Sequence, residues 1–252
     1  MKISIVSFPI GNSLEGNFSQ IKEAIETSPK ADIWLFPEGA LTGYDCENGN
    51  FIKNINFDKL NQLHQKCRNL TIFHKTNLII GSIEKEDNKY YNAAFIFLAD
   101  GTIQKYRKIN LAFFDKKHFI TGNSLPVFEI NGTKIGIQLC REVFYPEQWR
   151  LLALKGAKII FHLNNCVGKE KYNLWKSYLI SRAAENQRYV FSANTPSESV
   201  GCPTIAISPE GEVLEEINSK DKKIVTLTPN LELSRDYYLS QRRFDLFDII
   251  EK

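Results

Sequence analysis

Short apolar runs bounded by turn residues alternate with amphipathic stretches along nearly the whole chain, and this alternation is what most restricts the fold. "KISIVSF" (2–8) and "ADIWLF" (31–36) have the length and β-branched content of strands. Between and after them, "NFSQIKEAIETS" puts Phe18, Ile21 and Ile25 on one helical face, and "DKLNQLHQKCRNL" puts Leu60, Leu63, Cys67 and Leu70 on another. That stripe marks Cys67 as a core thiol. "TNLIIGSI", "YYNAAFIFLA" and "GTIQKYRKINL" read as consecutive strands, the last two joined at Asp100-Gly101, and "LPVFEI" and "KIGIQL" pair around Asn131-Gly132. A helix is expected from Pro146 to about Lys155, with Pro at its first turn and Gly156 just past its end. The strand "AKIIFHLNN", the helix "NLWKSYLISRAAENQ", the strand "RYVFSAN", a hairpin turned at Pro209 to Gly211 and a last strand "KKIVTLTP" follow. Hairpins mixed with strand–helix alternation predict an α/β fold whose large, partly antiparallel sheets are covered by helices.

No repeat and no Pro/Gly/Ser-rich linker divides the 252 residues, so one domain over 1–252 is expected. A net charge of +3 with scattered Lys and Arg lacks the basic stripe that nucleic-acid binding needs, and no nucleic-acid partner is expected. No apolar run approaches the ~20 residues of a membrane span. The first residues, "MKISIVSFPIGN", alternate like a strand rather than like a leader. The five cysteines (Cys46, Cys67, Cys140, Cys166, Cys202) are odd in number, form no CxxC pair and show no metal-ligand spacing with the four histidines. These features together predict a cytoplasmic protein with reduced thiols and no metal.

Three polar residues stand where apolar strands stop, the place where α/β proteins gather chemistry. "IWLFPEGALTGYD" delivers Glu38, "IQKYRKINLAFF" delivers Lys108 and "GIQLCREVF" delivers Cys140. Singly, each has an ordinary reading: a helix cap or solvated carboxylate, a surface lysine, a buried thiol. As a set they have a chemical logic. A thiol needs a base, and a buried carboxylate can be one. An amide carbonyl under attack develops an oxyanion, which an ammonium and a backbone N–H can hold.

The segments "FPEGALTGYD", "YRKINL", "GIQLCREVFYPEQWRLLALKGAKIIFHLNN" and "RAAENQRYVFSAN" resemble the nitrilase superfamily of carbon–nitrogen hydrolases, in the family's order and from "KISIVSFPI" to "YYLSQRRFDLF". The resemblance implies a four-layer α-β-β-α sandwich, homodimers or higher homo-oligomers stacked across helices near the nucleophile, a small-molecule amide substrate and no cofactor. It implies Glu38 as general base, Lys108 as transition-state stabiliser, Cys140 as nucleophile and the Arg141 N–H as part of an oxyanion hole. Glu142 and Glu147 match positions that support the site, and Asn194 matches a pocket-lining position.

Three positions depart from the family pattern. Asp115 of "DKKHFITG" stands where a second glutamate is common and reaches about 1.5 Å less, one C–C bond. Asn110 replaces a frequent histidine, and Arg141 replaces an aromatic residue after the cysteine. The compact chain and its Arg-Glu favour an amidase, acting on an ω-amide or an N-carbamoyl amine, over a true nitrilase. Two rival readings stay open at this level. One is a Cys–His hydrolase using His162, which otherwise reads as a core histidine. The other is a binding protein that has kept the fold and lost the chemistry.

Overall fold

The structure is a computed structural model describing residues 1–243; the last four residues of "YYLSQRRFDLF" (244–247) lie outside the described residues. The first half runs β1 (Ile3–Ser7), α1 (Leu14–Thr27), β2 (Ile33–Leu35), α2 (Phe57–His74), β3 (Asn77–Glu86), β4 (Lys89–Phe97) and β5 (Ile103–Arg107). The second runs β6 (Phe128–Ile130), β7 (Thr133–Leu139), α3 (Pro146–Leu154), β8 (Ile159–Leu163), α4 (Tyr172–Asn186) and β9 (Tyr189–Ala193). The chain then continues through β10 (Thr204–Ile207), β11 (Val213–Ile217), β12 (Lys223–Leu227) and α5 (Tyr237–Ser240).

The strands form two six-stranded sheets, ordered β12-β1-β2-β3-β4-β5 and β11-β10-β9-β8-β7-β6. Each has a parallel centre, β1-β2-β3 in one and β7-β8-β9 in the other, flanked by antiparallel strands. Strand periodicity explains why the sheets stack. Ile3 and Ile5 of β1 and Ile33 and Leu35 of β2 share one core with Ile135, Ile137 and Leu139 of β7 and Ile159, Phe161 and Leu163 of β8. The intervening residues face outward: Trp34 packs with Leu60 and Leu63 of α2, and Ile160 packs with Trp149 of α3 and Leu179 of α4. A sheet that is apolar on both faces needs cover on both, and the helices supply the outer cover. The result is the four-layer α-β-β-α sandwich.

Some boundaries differ from those read in the sequence. Helix α1 begins one turn earlier because the Ser13 hydroxyl accepts the Gly16 N–H at 3.2 Å and caps it there. The inward position at that end belongs to Asn17, whose amide bonds Gly11 and Leu41, and Phe18 is only half-buried. Cys46 and Cys202, in loops, are both buried, as are the other three thiols.

Two glycines allow the backbone approaches that build the site. A Cβ on Gly81 of β3 would lie 2.5 Å from the Glu38 Cα, and its N–H donates to the Pro37 carbonyl at 3.0 Å. A Cβ on Gly122 would lie 2.4 Å from the Arg107 oxygen, and its N–H donates to the Lys108 carbonyl at 2.8 Å. Any larger residue at either place pushes a site segment aside.

Candidate active site

The carboxyl ends of β2, β5, β7 and β8 converge on one edge of the sandwich, as open parallel sheets dictate. There, Lys108 Nζ, fully buried, donates to Glu38 Oε1 and to Asp115 Oδ2, both at 2.7 Å. Burial alone opposes an ammonium, but the attraction of Glu38 and Asp115 outweighs it and raises the Lys108 pKa well above the usual lysine value. Lys108 is therefore a fixed cation.

The two carboxylates that share this cation have different surroundings. Asp115 also accepts from the Tyr44 hydroxyl at 2.5 Å and the Ala112 N–H at 3.0 Å. Burial raises its pKa, yet Lys108, Tyr44 and Ala112 more than offset this and hold Asp115 ionised below the usual range. Glu38 receives Asn92 Nδ2 at 2.8 Å on the same oxygen that takes Lys108, and its Oε2 has no hydrogen-bond partner. Burial raises the Glu38 pKa, Lys108 pulls against it and Asp115 adds to the rise. Two acids in contrasting environments are pushed apart in pKa: Asp115 is held ionised, while the Glu38 pKa is raised. Despite its shorter reach, Asp115 contacts Lys108 directly from a 3₁₀ turn (Asp115–Lys117).

Cys140 opens a 3₁₀ turn, Cys140–Phe144, immediately after β7, with a left-handed φ of 44°. The sequence assigns no element between the strand ending at Leu139 and the helix from Pro146, and this turn fills that gap. Such backbone is costly for a residue with a Cβ and concentrates at functional sites. The first N–H groups of the turn, Arg141 among them, have no intrahelical acceptor. Burial, then the nearby Glu38 carboxylate, push the thiol pKa well above normal, with Lys108 offsetting only part. At rest Cys140 is thus a thiol, not a thiolate.

Above it lies a pocket of about 510 Å³ lined by residues that include Tyr44, Phe114, Cys140, Phe144, Cys166 and Trp175. Its size suits a small organic ligand. Arg141, Lys171, Asp45 and Glu47 also border it. The Arg141 side chain is exposed and lies 5.6 Å over the Phe144 ring.

Glu142 is fully buried, so it makes no surface pair with Arg141. Its Oε1 accepts from the Tyr106 hydroxyl and the N–H groups of Ile109 and Asn110, and its Oε2 accepts the Leu139 N–H at 2.7 Å. It ties the residues after Lys108 to the residue before Cys140. Asn194 does not line the pocket: its amide bonds both backbone groups of Cys166 and the Cys202 carbonyl, holding the loop that forms one wall. Glu147, on the first turn of α3, is exposed. His162 touches the Cys140 carbonyl, not its sulfur, and both of its nitrogens are engaged, which removes the Cys–His reading. Tyr44 and Asn92 were missed in the sequence; only Tyr44, six residues after Glu38, carried a local signal by proximity.

A model of the carbon–nitrogen hydrolase family matches residues 2–238. The chain belongs to the carbon–nitrogen hydrolase family. This hydrolase is 30% identical to a nitrilase of Pyrococcus abyssi over 93% of this chain and 90% of that protein. It is 28% identical to a 2-oxoglutaramate amidase of Bacillus subtilis over 94% of this chain and 92% of the other. Its fold matches an amidase from Nesterenkonia sp. AN1 with a TM-score of 0.87, at 19% identity, covering 99% of this chain and 96% of that one. Among its described residues no helix is long and apolar enough to cross a membrane, and no group of three or more His, Cys, Asp or Glu side chains is arranged to hold a metal ion.

Proposed function

We propose that this carbon–nitrogen hydrolase is an amidase that cleaves small linear amides through a thioester on Cys140. The observation that carries the reading is the buried Lys108 bridge between Glu38 and Asp115 beside a cysteine on a left-handed turn. Because the resting thiol is protonated, Glu38 removes its proton as sulfur attacks, rather than before. Sγ bonds to the amide carbon, and the carbonyl electron pair moves to oxygen. The Arg141 N–H and the Lys108 ammonium hold that oxyanion; each such donor is worth roughly 3 kcal/mol of barrier. The C–N bond breaks as Glu38 passes its proton to the leaving nitrogen, releasing ammonia. Glu38 then takes a proton from water, whose oxygen attacks the thioester, and returns it to sulfur as the acid departs.

The aromatic walls and modest volume of the pocket suit ω-amides or N-carbamoyl amines of a few carbons. The Bacillus subtilis relative, named for 2-oxoglutaramate, is consistent with that class. A homodimer docked through the half-exposed leucines of α3 and α4, Leu151 and Leu174, completes the reading; a monomeric mass in sedimentation would remove that part. The central test compares ammonia release by wild type and Cys140→Ala across small amides and nitriles, with mass spectrometry of the trapped protein. Amide turnover confined to wild type, with an acyl adduct on Cys140, is expected. Equal turnover by both proteins, or turnover of nitriles alone, ends the proposal.

A further inference from the structure

His162 lies fully buried directly behind the nucleophile, on the face of β8 turned towards α3 and α4. Its ring is held between Trp149 and Trp175, at centroid distances of 5.5 and 6.4 Å. Nε2 is 2.9 Å from the Cys140 carbonyl oxygen. Nδ1 is 3.0 Å from the Asn164 amide nitrogen and 3.1 Å from the Ser192 hydroxyl. These partners settle the tautomer. A carbonyl only accepts, so Nε2 carries the proton; an amide –NH₂ only donates, so Nδ1 is bare. Burial lowers the ring pKa to about 4, which keeps it neutral. Neither nitrogen is left over for chemistry at sulfur.

The bond it makes falls where the backbone most needs one. The Cys140 peptide has to hold a left-handed conformation, with φ of 44°, for the chain to turn from β7 into its 3₁₀ turn. Two residues beyond His162, the Asn164 carbonyl accepts the Glu38 N–H at 3.2 Å. Two residues at the end of β8, His162 and Asn164, therefore grip Cys140 from the second sheet through a side chain and Glu38 from the first sheet through the backbone.

We propose that His162 is a positioning residue whose Nε2–H, by holding the Cys140 carbonyl, aims Sγ and the Arg141 N–H into the pocket and keeps them in register with Glu38. The proposal rests on Cys140 being the nucleophile. A displacement of the order of 1 Å at a reacting centre costs roughly 10²-fold in rate, so one backbone hydrogen bond here has kinetic weight.

The test uses the wild type and two variants. His162→Phe fills the space without a donor, and His162→Gln restores an N–H near the place of Nε2. In ¹⁵N-histidine NMR of the wild type, His162 is expected as the neutral Nε2–H tautomer, without titration above pH 6. His162→Phe is expected to lose roughly 10²-fold in kcat for an amide substrate, with KM changed by no more than about threefold. His162→Gln is expected to recover about tenfold of that loss. Iodoacetamide labelling of Cys140, followed by mass spectrometry, separates this proposal from the one beneath it. Failure of wild type to label selectively at Cys140 removes the nucleophile itself. Selective wild-type labelling with both variants at wild-type kcat removes only the positioning role. A folded His162→Gln as inactive as His162→Phe would point to proton transfer and overturn it too. An Nδ1–H tautomer, or a ring that titrates above pH 6, overturns it whether or not the variants fold.

Discussion

Glu38 and Glu142 are both completely buried within the same edge of the sandwich, yet their surroundings are opposite. Glu142 has donors on both oxygens: Tyr106, Ile109 and Asn110 on one and Leu139 on the other. Glu38 has both of its donors, Asn92 and Lys108, on a single oxygen, and the other oxygen has none. A buried carboxyl with donors on both oxygens is a strut, because its partners tie it to the chain on either side. One with an idle oxygen carries a desolvation cost that only a proton or a reacting group relieves. The same residue type is thus tied down at one end of the site and left with an idle oxygen, as the proposed base requires, at the other, and only the partners decide which.

The largest effect that would sharpen this contrast is expected from Glu38→Gln. It keeps the shape and an acceptor for Lys108 but removes the base, so kcat should fall roughly 10²–10⁴-fold with the melting temperature little changed. Steady-state kinetics beside calorimetry check it, and a variant that keeps its rate breaks the contrast at once. Glu142→Gln should do the reverse. Its new –NH₂ would face the Leu139 N–H, two donors without an acceptor, and cost about 1–3 kcal/mol of stability by urea titration. If both variants lose rate and stability in the same proportion, the division between base and strut is wrong.

Next in size is the pH dependence of stability that Glu142 creates. Burial raises its pKa from 4.5 to about 7 in the folded protein, its donors notwithstanding. The folded state therefore holds a proton that the unfolded chain has lost, and the Glu142 contribution is full below pH 4.5, declines between 4.5 and about 7, and is absent above. Stability differences between wild type and Glu142→Gln should therefore change across that window and level off above it; a constant difference contradicts the assignment. The smallest effect is expected from Tyr44→Phe, which removes one of three donors to Asp115 and leaves Lys108 in place. Roughly a tenfold loss or less in kcat is expected, with the acid limb of the rate profile moved upward because Asp115 loses a bond to its charged form. An unchanged limb would mean that Asp115 does not help hold Lys108 in its working state.

Much of this was legible along the chain. Periods of two and of 3.6 marked the strands and helices, Asp100-Gly101 and Asn131-Gly132 marked turns that form where expected, and the inner stripe of α2 correctly buried Cys67. Glu38, Lys108 and Cys140 were conspicuous because each is a polar residue at the end of an apolar run. Asn92 was not, since it sits inside a strand whose pattern predicts only burial, and His162 stood out only as a rival base or a core histidine. Asn194 matched a pocket-lining position only through the family resemblance, and its side chain is spent on the Cys166 loop.

What the sequence by itself determined was the set of elements and the reactive types at their ends, because periodicity and strand termination are local properties. Only the tertiary structure decided which carboxylate keeps an idle oxygen, which has donors on both oxygens and which holds the lysine from its other side. Those roles depend on which donors meet each oxygen, and here the donors arrive from residues 33 positions away, as with Ile109 and Glu142, or 70 positions away, as with Lys108 and Glu38. No local pattern records such meetings; burial makes them count, because in a water-free site each oxygen has only the partners the fold brings to it.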